Sequence, residues 1–246
     1  MNWSWTFFFE YLTNGFMFRG AWTTVWLSVI SMTIGLGLGV VAAMMKMYGN
    51  AAVRYIAEFY IWLFRGTPVL IQLIIIYTGL PQLGIRLNVI ESAILGLALN
   101  EGAYLAEIIR AGIMSVDKGQ NDAARSVGMT WRERMYLVIL PQATRTIIPP
   151  LGNQFNGMLK TTSLASVISM EELMRNAQML AQINFRVLEV YSVAALWYLL
   201  LVSIWGLIQQ RIEAHYEKPF GPAAAISPEA AKELKKAMQK AGATKV

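Results

Sequence analysis

At 246 residues the chain is long enough for one or two soluble domains, but 56% of it is hydrophobic and only 15% is charged. That balance excludes an ordinary soluble fold and predicts a multi-pass membrane protein, because several stretches approach the ~20 apolar residues that cross ~30 Å of hydrocarbon. The chain has 0 cysteines, which removes disulfides, thiolate catalysis and Cys-based metal sites; no metal site is expected. Its net charge of +6 is distributed between apolar stretches rather than gathered in one groove, so no nucleic-acid partner is expected.

Residues 1–19 read as an N-terminal external or interfacial segment. MNWSWTFFFEYL lacks the basic start and small-residue cleavage site of a signal peptide, and Trp3, Trp5 and Phe7–Phe9 suit headgroup depth. Residues 20–212 follow as the transmembrane part, and the expected fold is an all-α polytopic membrane protein with about five spans. Span one covers Ala21–Met45. Its Gly35-Leu36-Gly37-Leu38-Gly39 lacks both the preceding strand and the third glycine of a dinucleotide loop, and predicts close helix packing instead. Span two, Tyr55–Leu80, is interrupted by Arg65-Gly66-Thr67-Pro68, a predicted helix break and gating element. Pro68 cannot donate to the Phe64 carbonyl, and Gln72 follows one turn later. Span three, Val89–Ile113, places Ala93, Gly96, Asn100, Tyr104 and Glu107 on one small or polar face, with Glu101 beside it.

The connector that follows, 114–142, is polar yet ordered in its chemistry. Asp117 or Asn121 can cap a first short helix, Ala123-Ala124 gives it a thin surface, and Gly128 suits a left-handed stop. Thr130-Trp131-Arg132-Glu133 has capping-box spacing and opens a second helix running to Pro141. Met129, Trp131 and Met135 are apolar residues on the wet side, which a plain connector does not need. Span four, Thr144–Ser169, is the least apolar. Asn153, Asn156, Gly157, Lys160 and Ser163 fall near one face, and Pro149-Pro150 with Gly152 loosen its first turns. Residues Met170–Phe185 read as a short amphipathic helix at the outer face, and Leu188–Gln210 as span five. The remaining 213–246 form a basic tail in which Ser227-Pro228 can cap a lysine-rich helix ending at Gly242. A solvated tail attracted to anionic lipid is the simpler reading.

Basic residues fix the expected orientation. Lys46, Arg54, Arg110, Lys118, Arg125, Arg132, Arg134, Arg145, Arg211 and the tail lysines share one side. Arg19, Arg86, Arg175 and Arg186 share the other. The first side should be cytoplasmic, giving N-out and C-in. Polar groups inside spans are costly and are candidates for a solute path by default: Gln72, Asn100, Glu101, Tyr104, Lys160, Thr161, Thr162 and Ser163. Simpler readings stand beside this one. Glu107 can pair with Arg110, Lys160 with Glu101, Arg65 with lipid phosphate, and Thr162 or Ser163 can bond back to helix carbonyls.

The connector also carries Asp122-Ala123-Ala124, Gly128, Val138 and Leu140-Pro141. This order resembles the EAA loop of ABC-importer permeases, with Asp for Glu and Val for Ile. Phe64-Arg65-Gly66-Thr67-Pro68, Ala103-Tyr104-Leu105-Ala106-Glu107-Ile108, Arg110-Ala111-Gly112-Ile113, Gly119-Gln120, Leu140-Pro141-Gln142-Ala143 and Leu159-Lys160-Thr161-Thr162-Ser163-Leu164 are similar to the polar amino-acid uptake permeases. The match runs in order from about Tyr55 to Ile168. Thr161 departs from that family, where an acid often follows the lysine.

The resemblance implies a type I importer permease fold and ATPase coupling through Gly119, Asp122, Ala123, Ala124, Gly128, Met129, Leu140 and Pro141. It implies as partners a cytoplasmic ABC ATPase dimer, a second permease of the same or a sister kind, an external or periplasmic solute-binding protein, and membrane lipid. ATP and Mg would bind the ATPase, with no cofactor in this chain, at the inner (plasma) membrane of a bacterium. An ion-driven secondary transporter titrating Glu101 is the rival reading, but the spans show no internal repeat. No catalytic residue is expected, since the chain has no GxxxxGK[ST] or HExxH and its one His lies in the tail.

Overall fold

The computed structural model describes residues 3–216, and among them every regular element is helical. The lysine-rich helix expected beyond Ser227 lies outside the described residues. Helix α1 covers Trp5–Leu12, α2 Gly15–Tyr48, α3 Ala51–Gly66 and α4 Val69–Ile74, the last continuing through a wide π turn and a 3-10 turn to Leu83. Helix α5 covers Val89–Met114, α6 Lys118–Ser126 and α7 Trp131–Glu133, which runs on as a π turn over Arg134–Ile139. Helix α8 covers Leu140–Thr161 with a 3-10 extension to Ile168; α9 is Leu173–Asn184 and α10 Val187–Tyr216.

Short polar side chains set the starts. Asn14 accepts from the Phe16 N–H at 2.8 Å, Asn50 from Val53 at 3.0 Å, and Glu172 from Arg175 at 2.8 Å. At α5, Asn88 accepts from the Glu91 N–H at 2.9 Å while Glu91 accepts from the Asn88 N–H at 2.8 Å, a reciprocal capping box.

By length and composition, α2, α5 and α10 can each cross a membrane. Helices α3 and α4 form a fourth candidate, bent by 104° at the break. The bend falls at Thr67-Pro68, where the sequence places it. Helix α8 does not qualify by composition, because Asn153, Gln154, Asn156 and Lys160 dilute its apolar residues.

The bundle is organised around α2, which touches α3, α5, α8, α9 and α10. Its closest partner is α5, and the approach depends on glycine. A methyl group on Gly39 would lie 2.8 Å from Leu105 Cβ and 3.1 Å from the Gly102 carbonyl and the Ala106 nitrogen. One on Gly35 would lie 3.1 Å from Glu101 Cβ. Gly37, between them, faces open space. The small-residue motif is thus a packing device at its first and third glycines, four residues apart on one helical face. Tyr60 of α3 closes over the same region, its hydroxyl donating to the Leu99 carbonyl at 2.7 Å.

Three apolar clusters stack along the bundle. One joins Tyr11, Met17, Leu173, Ala177 and Val190; a middle one joins Leu27, Leu73, Leu97, Met158 and Ile168; the third joins Ala42, Ile61, Ala106, Ile109 and Ala143 near the 115–139 connector. Helix α9 was expected as an amphipathic element at the surface. It is helical, but Leu173, Ala177 and Ala181 are buried between α2 and α10. Asn176 anchors it by donating to the Phe16 carbonyl at 2.7 Å. The opposite, connector end carries a charge cluster: Glu107 accepts from Lys46 of α2 at 2.7 Å and from Arg110 at 2.8 Å. The expected Glu107–Arg110 pair is therefore present, with Lys46 as a third member.

Candidate functional site

Pro68 leaves the Phe64 carbonyl without its helical donor. Two side chains replace it. Gln72 Nε2 and Asn100 Nδ2 both donate to Phe64 O at 2.9 Å, and Gln72 also donates to the Thr67 hydroxyl at 2.8 Å and the Thr67 carbonyl at 3.1 Å. Asn100 further donates to Gln72 Oε1 at 3.1 Å. The amides of both residues therefore brace the bend. Gln72→Leu should destabilise the protein by ~1–3 kcal/mol, since it leaves buried carbonyl and amide groups unmet. Thermal unfolding of the purified protein in detergent checks this, with Leu95→Ala on the exposed side of α5 as the comparison.

Beside the bend lies a cavity of about 310 Å³. Thr67, Pro68 and Val69 form one wall, and Asn100, Glu101 and Tyr104 of α5 another. Gln154, Gly157 and Thr161 of α8 complete it. Glu101 is 7% exposed, and its Oε1 is buried with no hydrogen-bond partner. Gln154 bonds to the same carboxyl group. Arg65 lies over the Tyr104 ring at 5.2 Å.

The other sequence candidates separate from this group. Lys160 and Ser163 line a second cleft of about 500 Å³ against α10, shared with Tyr198 and Leu199. Lys160 and Glu101 thus face different cavities, and no ion pair joins them among the described residues. Thr162 is fully buried and bonds back to Leu159 O at 2.9 Å, while Ser163 bonds back to Lys160 O at 2.6 Å. Asn153 is occupied by Gln209 of α10 at 3.2 Å. The polar stripe of α8 is therefore shared among two cavities and α10. Gln154, absent from the sequence reading, is the cavity residue that a helical wheel centred on Thr161 would have found.

The 115–139 connector folds as two short helices. Asp117 caps α6, accepting from the Gly119 N–H at 2.6 Å. Gly128 takes φ +83° and ends it. At α7, Thr130 Oγ1 accepts from the Glu133 N–H at 3.4 Å and Glu133 accepts from the Thr130 N–H at 2.7 Å. That Thr130 N–H, with the Thr130 hydroxyl, holds the Glu133 carboxyl below the usual carboxylate range. The box is accordingly complete above that range and is lost as pH falls through the lowered value.

The second helix was expected to end at Pro141. It does not: the π turn over Arg134–Ile139 carries it into α8, with Pro141 at the start of the new segment. A proline at that place loses no bond an α-helix start would use. Ala124 and Met135 are buried within the connector, while Asp122 and Ala123 are exposed. Val127, Tyr136 and Leu137 are apolar and more than half exposed, forming a wet-side patch the sequence reading missed. Trp131 meets Tyr48 at the end of α2, ring centroids 5.4 Å apart.

Residues 35–218 match the model of the family described as the binding-protein-dependent transport system inner membrane component. The chain belongs to this family. Its members are permease subunits of ABC importers rather than enzymes. The arginine transport system permease protein ArgU of Corynebacterium glutamicum is 39% identical over 228 residues, 87% of this permease and 72% of its own length. The glutamine transport system permease protein GlnP of Escherichia coli is 36% identical over 80% of this chain and 91% of its own. The L-cystine transport system permease protein TcyB of Bacillus subtilis is 39% identical, covering 81% and 86% respectively. The permease superposes on a crystal structure of an amino acid ABC transporter with histidines at TM-score 0.82 and 38% identity, over 87% of this chain and all of that one. The permease of the MetNI methionine ABC transporter shares the fold at TM-score 0.68 with 19% identity. This permease is thus a multi-pass protein of the amino-acid ABC importers, a class that works with an ABC ATPase and a binding protein.

Proposed function

We propose that the permease moves a polar amino acid or amino-acid-like solute inward through the cavity at the α3–α4 bend, driven by a cytoplasmic ABC ATPase dimer docked on the 115–139 connector. The observation that carries this is the connector itself. Two capped short helices present exposed Asp122 and Ala123 beside exposed Val127, Tyr136 and Leu137, an apolar patch with a charged rim that suits a protein partner. Gly119, Met129, Leu140 and Pro141 complete the docking set. ATP and Mg bind the partner, and this chain supplies no ATPase site of its own. A second permease, identical or sister, closes the pathway, and an external or periplasmic binding protein delivers the solute.

The domain reading is an interfacial segment over 1–19, the permease over 20–212 and a basic cytoplasmic tail from 213. Five spans, with α8 crossing among its neighbours, place the N-terminus outside and the connector inside the bacterial inner membrane. Single cysteines test this cleanly, since the chain has 0 of its own. Gln82→Cys and Ile183→Cys should react with an impermeant thiol reagent from outside intact cells, and Val127→Cys only after permeabilisation. The reverse pattern overturns the orientation. ATP-dependent uptake by vesicles holding the permease with its co-isolated ATPase, and none under an ion gradient without ATP, tests the function.

A further inference from the structure

We propose that the cavity at the bend selects amino acids with a positively charged side chain, with Glu101 receiving the cation and Arg65, lying over Tyr104, meeting the carboxylate beside the rim. This rests on the cavity being the solute site. Its lining contains one acid, Glu101, and no base. A carboxylate oxygen this deeply buried, with no partner, is costly to leave unmet and is well matched by an ammonium or guanidinium donor.

Every amino acid carries an ammonium group, but in a neutral zwitterion it is two bonds from the carboxyl carbon. Bringing that ammonium to Glu101 draws a second negative group into a cavity with no base in its wall. A basic side chain separates the two charges by several bonds. Its cation then reaches Glu101 while its carboxylate stays outward, where the exposed Arg65 guanidinium lies 5.2 Å from the Tyr104 ring that lines the cavity. Arg65 makes no ion pair among the described residues, so its charge is available. Gly35 supports the arrangement by letting α2 approach within 3.1 Å of Glu101 Cβ. A polar group built to meet a partner rejects analogues lacking it far more strongly than an apolar wall does.

The test uses the purified permease with its ATPase and a thiol placed in the cavity wall by Thr161→Cys or, separately, Val69→Cys. Modification by a soluble maleimide is timed against increasing L-arginine, L-glutamine or L-glutamate. L-arginine should slow modification, with L-glutamine and L-glutamate needing at least tenfold higher concentration. Adding Glu101→Gln should raise the L-arginine requirement tenfold or more, and Glu101→Asp should fall between. If L-glutamine or L-glutamate protects as well as L-arginine, or Glu101→Gln changes nothing, the proposed class is overturned while the site stands. If none of the three protects at either position, the cavity is not the solute site and both readings fail. Should Glu101→Gln prevent assembly, the comparison of the three amino acids with Glu101 intact decides alone.

Discussion

Replacing Gly128 with valine should abolish ATP-coupled uptake while leaving the permease folded and inserted. Gly128 holds φ +83° between α6 and α7, and a β-branched residue is strained there by ~1–2 kcal/mol or more. Each 1.4 kcal/mol shifts an equilibrium about tenfold, so the connector would spend most of its time with its two helices out of their docking arrangement. No neighbour crowds the position, since a methyl group there meets nothing within 4 Å. The effect is therefore conformational, and Gly128→Asn, which tolerates the left-handed region, should retain most activity. Recovery of the ATPase with each tagged variant, together with ATP-dependent uptake, makes the comparison. Equal recovery and uptake for the valine and asparagine variants would exclude a role for the turn.

Gly39→Leu should prevent stable assembly of the bundle, whereas Gly37→Leu, two residues away, should be tolerated. At Gly39 the added carbon meets the Gly102 carbonyl and the Ala106 nitrogen at 3.1 Å, backbone atoms that cannot rotate aside. Overpacking costs typically ~1–3 kcal/mol where side chains can adjust, and here the whole α2–α5 contact must open. Displacing α5 would also shift the turn bearing Glu101 and Asn100, so loss of solute response should accompany loss of stability. Gly37 faces open space, and a leucine there adds one more lipid-facing residue to α2. Yield and unfolding temperature in detergent separate the two; similar behaviour of both variants would contradict the packing account.

Much of this architecture is legible in residue order because its causes are local. Apolar runs mark α2, α5 and α10, Asn88 with Glu91 opens α5, and Thr130 with Glu133 opens α7. Pro68 breaks α3 from α4 because a missing N–H is a property of one residue. The connector's Asp117 cap and Gly128 stop depend on neighbours within a few positions, so they too can be read directly.

Other features depend on which surfaces meet. Asn100 and Gln72 look alike as polar residues in apolar spans, and only the bend's geometry directs both amides to the Phe64 carbonyl. The spacing of Asn153, Lys160 and Ser163 suggests one polar face. The structure divides it, because α8 is flanked by α5 on one side and α10 on the other, and Thr161 and Lys160 point to different cavities. The π turn before Pro141 widens the helix and changes its phase, burying Met135 while exposing Tyr136 and Leu137, which a fixed 3.6-residue period does not anticipate. Sequence by itself determined the helical class, the bend, the capped connector and the small-residue motif, since each follows from local chemistry. The tertiary structure decided that Glu101 faces a cavity with no lining base, because such an environment is assembled from α5, α8 and the bend, segments far apart in the chain.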